Sequence, residues 1–136
     1  MPKETDARWR VVETLRRALP DLLAVYGFGS QVQGTATPDS DWDLAVLVPG
    51  RVDSVALWVI AQDVAAILDG PVDLVDLRSA STVLQYQIIT TGERWWTRDA
   101  RPDLYESAIL SEKTALEEAR LGLIGDILRD GRVYGR

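Results

Sequence analysis

Residues 27–48 read GFGSQVQGTATPDSDWDLAVLV, with Gly29-Ser30 near one end and Asp41-Trp42-Asp43 near the other. On an extended strand the carboxylates of Asp41 and Asp43 leave the same face, with α-carbons about 6.5–7 Å apart. Two negative charges held so close repel unless a cation lies between them. Magnesium suits that position, because it takes one or two carboxylates together with the phosphates of a substrate. Gly29-Ser30 supplies the complementary half. Glycine lets a backbone approach closely, and a helix starting there would offer free N–H groups and the Ser30 hydroxyl to an anion. Trp42 points the other way and is expected to pack under a helix.

A third carboxylate would complete a site for two metal ions. The apolar run VDLVDL contains two candidates, Asp73 and Asp76. They are three residues apart, so they face opposite sides of a strand and only one can join Asp41 and Asp43. Asp73 lies further inside the run and is the expected ligand. Asp76 is expected to serve a turn or cap.

Two absences narrow the chemistry further. The 136 residues contain no cysteine and no histidine. That removes disulfide frameworks, thiolate catalysis, serine–histidine triads and most zinc enzymes. Catalysis must run on carboxylates, hydroxyls, lysine or arginine, and hard metal ions held by oxygen. A net charge of −6 argues against direct binding to nucleic acid, which needs a basic surface.

The length suits one domain with one proper core. Its 46% hydrophobic and 26% charged residues are those of an average globular protein. No apolar run approaches the roughly 18 residues of a membrane span. The polar start MPKETDARWR is unlike a secretory signal, and a cytoplasmic location is expected.

The elements that must position these residues follow from the pattern. Helical spacing of Trp9, Val12, Leu15 and Leu19 predicts a helix over about Thr5–Leu19, stopped by Pro20. Leu22–Phe28, Trp42–Val48 and Val72–Leu77 read as strands, and Arg94–Thr97 as an edge strand. Between them, helices are expected over about Ser54–Leu68, capped by Asp53 and stopped at Gly70-Pro71, and over about Ala80–Thr90. Pro102 to Asp130 reads as one long helix or two stacked ones. The alternation gives an α/β domain with a mixed sheet, flanking helices and a long C-terminal helix. It divides into a catalytic core over about residues 20–98 and a helical segment over about 101–131. The five tryptophans, Trp9, Trp42, Trp58, Trp95 and Trp96, are expected mainly in the core, with an edge tryptophan beside adenine as the alternative.

Gly29, Ser30, Asp41 and Asp43, with Asp73 as third carboxylate, resemble the nucleotidyltransferase superfamily that includes DNA polymerase beta. The ten-residue spacer and the small size resemble its minimal nucleotidyltransferases. The ending ILRDGRVYG is similar to the MntA-type antitoxins encoded beside HEPN-domain ribonuclease toxins. That resemblance implies an adenylyltransferase that moves AMP from ATP to a tyrosine hydroxyl of its partner toxin and neutralises it. By the same resemblance, Gly29 and Ser30 would hold the triphosphate. Asp41 and Asp43 would bind two Mg2+ ions, and Asp73 would bind one and help deprotonate the acceptor.

One departure stands out. Many relatives carry a basic residue after Gly-Ser, where this chain has Gln31 and Gln33, which can donate hydrogen bonds but add no charge. Arg78 is a candidate to compensate. Two other functions share the motif. One is transfer to a small molecule such as an aminoglycoside, for which 136 residues leave little room to build a pocket. The other is an antitoxin without catalysis that masks its toxin by binding. The charged side of the last helix (Glu112, Lys113, Glu117, Glu118, Arg120) and its apolar side (Leu116, Ala119, Leu123, Ile127, Leu128) suggest part of a partner contact. Gly122 and Gly125 would let that partner's backbone approach.

Overall fold

Three of the apolar runs and the ERWWT segment pair into one four-stranded sheet. A computed structural model describes residues 7–37 and 40–130, with side chains up to Gly122. The strands are β1 (Ala24–Phe28), β2 (Trp42–Leu47), β3 (Val72–Asp76) and β4 (Glu93–Thr97). They lie in the order β3-β2-β1-β4. β1 runs antiparallel to both neighbours, and β2 runs parallel to β3. The helices are α1 (Ala7–Ala18), α2 (Ser30–Gln33), α3 (Ser54–Leu68), α4 (Thr82–Thr91) and α5 (Arg101–Asp130). The expected start of the first helix, Thr5, lies outside the described residues.

A parallel β2–β3 pair needs a crossover, and α3 provides it. Asp53 caps α3, its carboxylate accepting the Ala56 N–H at 3.1 Å. The helix ends on Asp69 in the left-handed region (φ 55°), one residue before the expected glycine. α4 starts two residues later than the sequence suggested. A 3-10 turn over Leu77–Ser79 intervenes, and Ser81 caps α4 by accepting the Leu84 N–H.

Alternation along the strands sorts the core into two layers. Val25, Leu44, Val46 and Leu74 face α1 (Val11, Val12, Leu15) and α3 (Ile60, Ala61, Val64). Ala24, Tyr26, Phe28, Ala45 and Leu47 face Leu77, Ile88 of α4 and Tyr105 of α5. Each fully buried aliphatic side chain contributes about 1.5–3 kcal/mol by leaving water.

Strict alternation fails at β4. Val25 pairs with Trp96 but Tyr26 pairs with Arg94, so Trp95 is the extra residue of a bulge. Both Trp95 and Trp96 therefore turn into the α1/α3 layer, and both are buried. That settles them as core residues, unavailable to stack on a base. Trp42 packs in the same layer, as expected. Trp58 does not: it is 66% exposed on the outer side of α3, because Ile60, Ala61 and Val64 supply that helix's buried face.

α5 is a single helix of 30 residues, about 45 Å long. Its first turns are tied to the sheet. The Tyr26 hydroxyl donates to Glu106 (2.7 Å), Arg94 Nε donates to the same carboxylate (2.8 Å), and Arg94 also bonds Asp103. Ile109 is its last buried residue among those described. The side chains of Leu123, Ile127 and Leu128, and the ending past Asp130, lie outside the described residues. Among the described residues no helix is long and apolar enough to cross a membrane.

Candidate active site

The site residues collect at one end of the central strands. β1 ends at Phe28, which pairs with Asp43 near the start of β2. Asp43 is in turn the register partner of Asp73 on β3. In a parallel pair such partners point to the same face, and neighbouring strands lie about 4.8 Å apart. Asp41, exposed just ahead of β2, falls on that face by alternation. The expected choice of Asp73 over Asp76 agrees with this register. Asp76 is buried at the other end of β3, where it accepts Val52 N–H (2.8 Å), Arg78 N–H (3.2 Å) and Ser79 Oγ–H (3.1 Å). It is the turn and cap residue that the sequence suggested.

The electrostatics of the three carboxylates are one-sided. Burial raises the Asp43 carboxyl above its ordinary range, and the charges of Asp73 and then Asp41 raise it further. A bound cation would oppose all three influences. The donor set is oxygen only, which fits a hard divalent ion. Among the described residues no group of three such side chains stands ready-made around a metal position. The fold supplies Asp43 and Asp73 side by side and Asp41 on the adjoining coil.

Gly29 closes the other side. It adopts φ 77°, a conformation that favours glycine, and a Cβ there would lie 2.2 Å from Asp43 Oδ2. The turn into α2 thus passes directly over the carboxylate. Gly29 O accepts from Val32 N and Gln33 N, leaving the Ser30 and Gln31 amides without an intrahelical acceptor. α2 is only one turn long, so the anion-facing surface is a turn more than a helix terminus.

Gln31 has a role the motif did not reveal. Its Nε2 donates to the Ser40 carbonyl at 3.1 Å, and Ser40 Oγ accepts the Thr37 N–H at 2.8 Å. The side chain after Gly-Ser therefore closes the spacer and carries Asp41 back to β2, instead of facing a phosphate. Arg78 does not stand beside Asp73. It lies past the far end of β3, in the Leu77–Ser79 turn, with its guanidinium 5.6 Å from the centroid of the Tyr105 ring.

Residues 10–101 match the family model described as polymerase beta, nucleotidyltransferase. The chain belongs to this family. Among similar proteins is the protein adenylyltransferase MntA of Shewanella oneidensis, 40% identical over 119 residues, covering 88% of this chain and 86% of that one. A crystal structure of a toxin–antitoxin with AMP-PNP aligns with TM-score 0.77 at 40% identity, over 89% of this chain and 98% of that chain. A structure of the tri-AMPylated HEPN toxin of Shewanella oneidensis in complex with MNT antitoxin aligns with TM-score 0.72 at 36% identity, over 90% and 96%. The similarity to this nucleotidyltransferase fold therefore extends beyond the family-model match, which ends at the first residue of α5.

Proposed function

We propose that this nucleotidyltransferase is an antitoxin that transfers AMP from ATP to a tyrosine hydroxyl of a cognate HEPN toxin and so neutralises it. The observation that carries the reading is the 40% identity to MntA over most of both chains. The gathering of Gly29, Ser30, Asp41, Asp43 and Asp73 at one end of the sheet supports it.

The roles follow from chemistry and place. The Ser30 hydroxyl and the turn amides orient the triphosphate. Asp41 and Asp43 would hold two Mg2+ ions, and Asp73 would help to hold one of them. When bound, these ions polarise the phosphate and offset the charge developing on the attacking and leaving oxygens. The tyrosine oxygen bonds to the α-phosphorus of ATP, the bond from that phosphorus to the bridging oxygen breaks, and pyrophosphate leaves. A tyrosine hydroxyl has a pKa of about 10, so its proton needs an acceptor, and Asp73 takes it. The protein acts in the cytoplasm, where ATP and toxin are both present.

The projecting part of α5 contributes to toxin contact. From Thr114 to Gly122 its side chains are exposed all round, and Gly122 faces open space.

The test uses a cognate HEPN toxin, Mg2+ and ATP labelled on the α-phosphate. Label on the toxin is expected with the wild type and is lost with Asp41→Ala plus Asp43→Ala. A double variant that still binds and silences the toxin would replace transfer by masking.

A further inference from the structure

Directly behind the carboxylates, on the opposite face of the sheet, lies a tryptophan pair that the motif does not include. Trp42 stands between Asp41 and Asp43, and its ring meets Trp95 edge to face, with centroids 6.1 Å apart at 73°. Trp95 occupies this position because it is the bulged residue of β4. Its indole lies across Gly27, where a Cβ would come within 2.6 Å of Nε1 and 2.8 Å of Cζ2. Trp95 Nε1 donates to Glu93 Oε1 at 3.2 Å, and that oxygen also accepts Arg8 Nη1 at 2.8 Å. The Arg8 guanidinium lies over the ring, 5.2 Å from its centroid.

One side chain therefore touches both halves of the site from behind. Through Gly27 it rests on β1 two residues before Gly29. Through Trp42 it rests on the residue that separates Asp41 from Asp43. An indole is rigid, and here it is held by an ion pair, a hydrogen bond and a ring contact, so it fixes the spacing between the two backbones. We propose that Trp95, acting through Trp42, is the positioning residue that sets the phosphate-binding turn against the metal-binding carboxylates. The inference rests on the site reading given under the proposed function.

Misplacement by about 1 Å at such a site costs on the order of 100-fold in rate. Binding of the ion is the more direct readout. Mn2+ binding is measured by the electron-spin-resonance signal of the free ion, with AMP-PNP present, for the wild type and for Trp95→Phe. The variant is expected to bind Mn2+ at least fivefold more weakly, and to need correspondingly more Mg2+ for half-maximal transfer, while capturing toxin at wild-type stoichiometry. Val12→Ala, which thins the same core layer away from this pair, is expected to lower the melting temperature without changing Mn2+ affinity. A cooperatively melting Trp95→Phe with wild-type Mn2+ affinity overturns the inference. If Trp95→Phe does not melt cooperatively, Trp42→Phe is judged by the same two results. A wild type that binds no Mn2+ sinks the reading of the site itself, and the inference with it.

Discussion

Gly29 and Asp43 occupy the same space to within the size of one methyl group: a Cβ on Gly29 would lie 2.2 Å from Asp43 Oδ2. The glycine of the motif is thus required twice, for its φ of 77° and for the carboxylate beneath it. Gly29→Ala should cost about 1–3 kcal/mol of stability from backbone strain. It should also lower the transfer rate by about 100-fold or more, because the carboxylate must move. Denaturant melts and single-turnover labelling of the toxin measure the two effects separately.

Asp43 is held at a disadvantage when no cation is bound. Burial and two neighbouring negative charges all disfavour its ionised form. Removing that charge should stabilise the metal-free protein, by up to about 1 kcal/mol for like charges facing across a strand pair. Asp43→Asn should therefore melt higher than the wild type in chelator and transfer no AMP. If it melts lower in chelator, the carboxylates are not mutually repulsive as placed.

Asp73 and Asp76 give opposite expectations from the same strand. Asp73→Asn leaves packing untouched, so it should fold normally and lose transfer. Asp76→Ala removes the acceptor of three hydrogen bonds at a buried position, at a cost of about 2–3 kcal/mol. Its transfer per folded molecule, and its KM for ATP, should match the wild type. Thermal melts beside kinetics on the soluble fraction separate these outcomes.

This pair also shows how far the sequence could be read. Parity along VDLVDL lets only one of Asp73 and Asp76 join Asp41 and Asp43, depth in the run favours Asp73, and the β2–β3 register sets Asp73 beside Asp43. Such parity is legible because a strand has a fixed period of two. Trp95 and Trp96 were legible as core residues, but not that both would face one layer, since a bulge inserts one residue between them and the pairing of Tyr26. Nothing local in ERWWT announces that insertion. The Ser54–Leu68 helix was legible as well, but not that Trp58 would stay outside while Ile60, Ala61 and Val64 form its buried face. Arg78 followed a strand whose direction was unknown, so its distance from Asp73 was not legible. Gln31 was legible as a donor and not as a brace for the spacer, because its acceptor is nine residues away.

The bond between Tyr26 and Glu106 predicts an alkaline sensitivity. Burial, and then the Glu106 carboxylate, push the Tyr26 hydroxyl well above the ordinary tyrosine range. A phenol with a raised folded pKa stabilises in full below its unfolded value of about 10, and that stability is lost as the pH rises through the folded value. The wild type should lose stability steadily above pH 10. Tyr26→Phe should be about 1 kcal/mol less stable at neutral pH, with a shallower alkaline fall. The fall should be reduced and not abolished, because burial also raises Tyr105. Melting temperatures of both proteins from pH 8 to 11 supply the comparison.

The free length of α5 is the remaining feature that a transferase core alone does not explain. A helix that long gains most of its stability from packing, yet among its described side chains Ile109 is the last one buried. Beyond it Leu116 and Leu121 are exposed, while Lys113 and Glu117 pair along the surface at 3.0 Å. Five residues separate the two leucines, so they project from different sides and no single face of this chain could cover both. A partner that packs around the helix would bury them and take up its free side. Leu116→Glu with Leu121→Glu should leave the melting temperature of the isolated protein nearly unchanged, since solvent-exposed substitutions fall within about 0.5 kcal/mol. The same variant should bind the toxin at least tenfold more weakly in a titration. Wild-type affinity in that titration would remove α5 from the contact and leave the toxin to dock elsewhere on the domain.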